Sequence, residues 1–211
     1  MSTPHAPHAR LSPLSRAAAL KAATQAAHQR LDDGIMKFNP FASRQHYSAF
    51  VQMQYAFHRD VAPLFEHPHL NVLFPGLQAR ARLLQVERDL ADLGLPVPPL
   101  ATPPVFATGG QLDLPTALGW LYVEEGSNLG AAFLFKAAAA LGMSAEQGAR
   151  HLAPHEDGRA TSWRTFVGQL DSVALDTADE ARVSTGAIAA FEQVTCYMEL
   201  FCHDAMAPAP A

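Results

Sequence analysis

Apolar residues recur at helical spacing along most of the chain, and no stretch alternates long enough to make a strand. The segment "LSRAAALKAATQAAHQRLDD" predicts a first helix. Ser12 supplies a capping hydroxyl, Pro13 takes the first helical position, and Gly34 is the expected stop. Ser43 opens a second helix with Tyr47, Phe50, Phe57 and Val61 on one side, ended by Pro63 and Pro68. The stretch "NVLFPGL" reads as a loop. A charged amphipathic helix follows over 79–93, halted by Gly94 and Pro96. Residues 96–110 are rich in proline and close on Gly109 and Gly110, which predicts an extended surface connection. A long helix over 115–141, closed by Gly142, comes next, then shorter ones near 144–151 and 160–173. The last helix, over 178–204, puts Val183, Ala190, Val194, Tyr197 and Phe201 on one side. No internal repeat is visible. The expectation is an all-α fold in a single domain over 12–206, with 1–11 as a frayed tail rich in Pro, His and Ala.

Composition narrows the partners rather than the fold. The chain has 211 residues, of which 49% are hydrophobic and 17% charged, enough apolar residues for a sizeable core. A formal net charge of -5 gives no reason to expect nucleic acid or an anionic membrane as partner. No apolar run reaches the length of a membrane span, and Lys21 interrupts the alanine-rich stretch before it resembles a signal-peptide core. Cys196 and Cys202, six residues apart on one helix, stand roughly 9 Å apart along its axis, too far for a disulfide. They read as two buried thiols in a reducing compartment, and the chain as a soluble cytoplasmic protein.

Two stretches carry candidate chemistry. In "LKAATQAAH", Lys21, Thr24 and His28 fall at i, i+3 and i+7 on one side of the first helix. Ala26 and Ala27 leave room for something broad beside the imidazole, and Lys21 stands roughly 10 Å away along the axis. A flat ligand with a metal at its centre and carboxylates at one edge fits that spacing; an ordinary surface histidine and lysine fit it too. The second stretch is "GWLYVEEGSNLGAAFLFK". Each interior glycine of a helix costs about 1 kcal/mol relative to alanine. Gly126 and Gly130, one turn apart, remove two Cβ atoms from one side, so a flat surface can approach the backbone. Ser127 and Asn128 add groups that can hold water there. Close packing of one helix on another through small residues explains the same spacing.

Taken in order, "LKAATQAAHQRLD" and then "GWLYVEEGSNLGAAFL" resemble the haem oxygenase family, in its bacterial branch, over most of the chain. The resemblance implies a helical bundle with haem sandwiched between a proximal and a distal helix. It implies His28 as the proximal axial ligand of the iron, Lys21 at a propionate and Thr24 lining the proximal side. Gly126 and Gly130 match the two distal glycines, and Tyr122 matches an aromatic position of the distal pocket. Ser127 stands where many members have an aspartate, leaving Ser127 and Asn128 as candidates to hold distal water. Arg164, and less directly Arg159, are candidates for the second propionate. Glu124 and Glu125 are expected to be surface charges. The implied activity is oxidative cleavage of haem at a meso carbon, α by the seating Lys21 favours, giving biliverdin, CO and Fe2+. Haem b would be both substrate and cofactor, with O2 as co-substrate. A ferredoxin or flavoprotein reductase would supply electrons, and a bilin-accepting protein is a further candidate partner.

Other readings compete. A haem-binding carrier or sensor without turnover would keep the same ligand and glycines. A di-iron carboxylate oxygenase needs Glu-x-x-His pairs, and the one such spacing, Glu66 to His69, contains Pro68. A thiamin-degrading relative would need a nucleophilic cysteine, which Cys196 and Cys202 do not suggest. His46, His58, His67, His69, His151, His155 and His203 form no ligand spacing, and His5 and His8 lie in the tail.

Overall fold

The computed structural model describes residues 15–202. Within them the chain forms α1 (Arg16–Phe38), α2 (Arg44–Glu66), α3 (Pro68–Leu73), α4 (Leu83–Asp92), α5 (Leu114–Ala139), α6 (Arg159–Ser172) and α7 (Thr177–Cys202). Two 3-10 turns, Gln78–Arg80 and Arg150–Leu152, complete the regular structure, and the described residues include no strand. The all-α expectation holds. No helix among the described residues is long and apolar enough to cross a membrane.

α7 is the spine, with α5, α1 and α2 all packed against it. The α5–α7 approach is close because both helices present glycine at the crossing. A Cβ on Gly119 would run into the backbone of Val183 and Ala187, and one on Gly186 would lie 2.7 Å from the Thr116 carbonyl oxygen. One apolar cluster fills the interior, with Tyr47, Phe50, Phe65, Phe74 and Phe166 fully enclosed. The proline-rich connection is pinned to this body rather than loose. Phe106 meets Trp120 edge-on at 5.4 Å. The buried Asp60 carboxylate accepts from the Tyr197 hydroxyl at 2.6 Å, the Arg59 guanidinium at 2.9 Å and the Val105 N–H at 3.3 Å. Arg59 also donates to the Thr102 carbonyl at 3.0 Å.

Several predicted boundaries move. The Ser12–Pro13 cap lies outside the described residues, and the cap seen on α1 is Ser15, whose hydroxyl accepts from the Ala18 N–H at 3.2 Å. Gly34 does not stop α1: its bare α-carbon seats the Met198 side chain, and the helix runs on to Asn39, which ends it in the left-handed region at φ 52°. Pro63 sits inside α2, which ends only at Glu66, while Pro68 opens α3 at its first turn. Asn71, Val72 and Leu73 of the expected loop therefore belong to a helix. The 79–93 segment begins as a 3-10 turn and becomes α4 only at Leu83. Only Arg150–Leu152 of the helix expected near 144–151 is helical, as a 3-10 turn. Carboxylates of α4 hold that region instead: Asp92 accepts from the Gly148 N–H at 2.8 Å, and Asp89 from those of Arg150 at 3.0 Å and His151 at 2.9 Å. Cys202 is buried, its thiol pushed up to about 12 by burial, but Cys196 is exposed, contrary to expectation.

Candidate functional site

α1 turns Leu20, Thr24, Ala27 and Leu31 inward, a spacing of three to four residues that makes one buried stripe. Lys21 and His28 flank that stripe and reach solvent. Burial thus divides the trio expected on one side. Thr24 is 2% exposed, and its hydroxyl donates to the Leu20 carbonyl at 2.8 Å. The His28 side chain is 59% exposed, with Nε2 at 3.5 Å from a carboxylate oxygen of Asp32. Its ring lies 5.2 Å from that of Phe191 on α7, tilted by 43°.

On α5, Tyr122 is half-buried against Trp163 of α6, with ring centroids 5.7 Å apart. Burial raises the Tyr122 phenol, and the nearby Thr24 hydroxyl pulls it part of the way back. One turn on, a Cβ added at Gly126 would meet only the Trp163 ring at an ordinary 3.8 Å. At Gly130 nothing lies within 4 Å. Helix packing therefore does not explain this glycine pair; in this bundle that task belongs to Gly119 and Gly186. Leu129 and Phe133, beside Gly130, are exposed at 41% and 66%. The open side of α5 is thus apolar and free of side-chain cover, the kind of surface a flat apolar ligand would occupy. Ser127 is exposed and donates its proton to the Glu124 carbonyl at 2.7 Å. Asn128 turns inward, its amide at 3.3 Å from Oε1 of Glu124. Arg164 is exposed and, among the described residues, bonds to the Thr161 hydroxyl alone, at 3.4 Å, whereas both terminal nitrogens of Arg159 go to backbone carbonyls.

Behind Asn128 lies a buried polar cluster that inspection of the chain did not anticipate. Glu124 and Glu125, expected on the surface, are 0% and 2% exposed. Glu125 accepts from Arg80 at 2.7 Å, and Arg80 also donates to the Ser162 carbonyl at 3.2 Å. His58 Nδ1 stands 3.7 Å from Oε1 of Glu124. His151 Nδ1 is 2.7 Å from the Asp89 carboxylate. Burial, reinforced by the neighbouring Glu125, raises Glu124 well above the ordinary carboxyl range against the pull of Arg82, and burial raises Glu125 against that of Arg80. Burial is also the main cause that lowers His58 to about 3, with His151 and Arg82 adding to it. Glu124 Oε2, Glu125 Oε1, Nε and Nη2 of Arg82, His58 Nδ1 and His151 Nε2 are all buried without a protein partner. Buried polar atoms in such numbers are normally satisfied by shared water. The cluster adjoins the glycine segment through Asn128, whose amide meets Glu124. A signal for it was present: Leu121, Glu125 and Asn128 repeat at i, i+4 and i+7, the spacing of the helix's buried side.

The residues present suit haem. One helix offers an exposed imidazole with a lysine two turns before it; another offers backbone that no side chain covers. Comparison with known proteins agrees. The family model described as "Heme oxygenase" matches residues 100–202. The chain is 46% identical over 178 residues to "Heme oxygenase PigA" of Pseudomonas aeruginosa, an alignment spanning 84% of this chain and 88% of that one. A crystal structure of the NO- and CO-bound haem oxygenase from Neisseria meningitidis superimposes with a TM-score of 0.84 at 41% identity, covering 93% of this chain and 97% of that one. The chain belongs to the haem oxygenase family.

Proposed function

We propose that this protein opens haem b at the α-meso carbon, using O2 and electrons from a ferredoxin or flavoprotein reductase in the cytoplasm, and releases biliverdin, CO and Fe2+. The observation that carries the reading is the uncovered glycine stretch of α5: two interior glycines whose missing Cβ atoms no packing contact requires. Bound haem would supply the iron that takes up oxygen and the ring that is oxidised.

The chain's own residues divide the remaining work. His28 would hold the haem iron through an imidazole nitrogen, with the Asp32 carboxylate 3.5 Å from Nε2 and close enough to influence the ring's orientation. Lys21 would meet one propionate and Arg164 is the candidate for the other, so that together they would orient the bound ring. Gly126 and Gly130 would let the ring approach the backbone, since neither carries a Cβ. Tyr122, packed against Trp163, would close one side of the pocket. Asn128 faces both ways: its backbone lies between the glycines and its amide meets Glu124. Through it, the buried cluster would keep ordered water near the pocket without exposing a charged carboxylate to it. The Ser127 hydroxyl already donates its hydrogen bond to the Glu124 carbonyl, so its oxygen would serve as an acceptor for such water.

Adding haemin to the purified protein and following the Soret band, then supplying ascorbate with catalase present, tests the proposal. Decay of the Soret band with growth of a red-absorbing bilin is the expected outcome, and chromatography should identify the α isomer. A complex that is reduced but keeps its ring intact would instead identify a haem carrier or sensor.

A further inference from the structure

The open stretch of α5 raises a mechanical question. Two glycines in adjacent turns weaken a helix just where its backbone would have to hold a fixed height above a ligand. Something outside the helix should compensate, and one side chain is placed to do so. Arg159 is the first residue of α6, delivered by Gly158 in the left-handed region at φ 79°. Its Nη1 donates to the carbonyl oxygen of Asn128 at 2.7 Å, and Nη2 donates to the carbonyl oxygen of Leu152. Asn128 lies midway between Gly126 and Gly130. A backbone carbonyl has a second lone pair beyond its helical bond, and the next turn here carries only the small Ala131 and Ala132.

We propose that Arg159 is a positioning residue for the glycine segment of α5, a guanidinium clamp that fixes its backbone to the 150–152 turn. The inference rests on the haem oxygenase reading of the pocket. Three features support it. Arginine's planar fork grips two carbonyls at once with fixed geometry, which a lysine cannot reproduce. The turn it ties to is itself anchored, since Asp89 accepts from the Arg150 and His151 N–H groups. The Asn128 side-chain amide donates to Glu124 one turn earlier, so the residue is gripped at backbone and side chain together. The height of the segment is therefore set from α4 through the turn rather than by α5 alone. Arg159 is in consequence not free to meet a propionate, the role the sequence left open for it.

Two measurements test the clamp. Amide hydrogen exchange of the haem-free protein, read by mass spectrometry over 124–132, should be roughly tenfold or more faster in Arg159→Ala, the scale of one lost charge-assisted hydrogen bond, with α2 unchanged. In the ferrous haem complex with CO, the C–O stretching band should broaden or split in the variant, as the segment samples several heights. Arg159→Lys should recover only part of both effects. Unchanged exchange over 124–132 together with a single wild-type C–O band would overturn the inference. If Arg159→Ala does not fold, Arg159→Gln supplies the same two readings, keeping a single donor. The exchange arm needs no haem, so a wild-type protein that binds no haem would refute the pocket reading while leaving that arm to judge the clamp itself.

Discussion

Replacing Gly130 by alanine should make the haem-free protein more stable and the enzyme worse. The substitution adds a methyl group where nothing lies within 4 Å, so it causes no clash. The residue is in the interior of α5 and not in the left-handed region, so alanine suits its backbone better than glycine. The gain is about 1 kcal/mol from helix propensity, which for a chain of this size raises the melting temperature by roughly 2–4 °C. The same methyl group would stand on the side of α5 that the haem plane is proposed to approach, pushing ring and backbone apart. Thermal unfolding of the haem-free protein by circular dichroism measures the first effect. Haemin titration and bilin formation measure the second. A lower melting temperature would mean that the space beside Gly130 is already filled. A stabilised variant with unaltered haem affinity and turnover would mean that haem does not lie against this glycine. Either result would remove the main support for the site.

Gly119→Ala should do the reverse, destabilising the protein by about 3 kcal/mol or more through overpacking at the α5–α7 crossing, and denaturant unfolding will show whether it does. His28→Ala should leave the fold intact, because the side chain is 59% exposed, yet abolish bilin formation; turnover at wild-type rate would exclude it as the ligand. Lys21→Ala should lower the α share of the bilin isomers separated by chromatography, and an unchanged isomer pattern would remove Lys21 from the seating of the ring. His58 is lowered from 6.5 to about 3 by burial, so the folded state binds fewer protons than the unfolded chain between those values. Its contribution to stability is complete above 6.5 and is lost as pH falls toward 3, roughly 2 kcal/mol by pH 5. The urea midpoint of His58→Gln should accordingly fall less than that of the wild type on acidification, and parallel losses in the two proteins would refute the shift. Glu124, raised by burial, acts in the opposite sense, favouring the fold below its raised value and losing that contribution as pH rises through it.

Much of the architecture was legible because helical spacing and capping are local properties. The seven-residue rhythm of α7 and the left-handed Gly142 after α5 could be read directly. Several of the misreadings have a common form: a residue's local preference was overridden by the packing around it. Gly34 signals a helix end, but Met198 from α7 needs the space it leaves. Pro63 signals a break, but the surrounding apolar residues of α2, Val61 and Leu64 among them, hold the helix together by their burial. Glu124 and Glu125 look like solvent-facing charges until Arg80, 45 residues before Glu125, arrives to pair with it and Arg82 adds its charge nearby. For the site itself, the residue types and the glycine spacing were readable, but which glycine pair makes a helix crossing and which leaves an opening was not. Gly119 and Gly130 differ only in what stands opposite, and that is a property of the folded chain.

The unequal environments of the two cysteines give this protein an unused optical handle. Cys202 is buried with its thiol pushed up to about 12, so alkylating reagents at neutral pH will pass it by. Cys196 is exposed and shares a surface hollow with Ala27 and Phe191, the latter ring lying 5.2 Å from His28. A maleimide fluorophore would therefore attach at one place without mutagenesis, within a few turns of the proposed iron ligand. Haem absorbs strongly where many such dyes emit, so quenching of the labelled protein would time the arrival and departure of haem in a stopped-flow instrument.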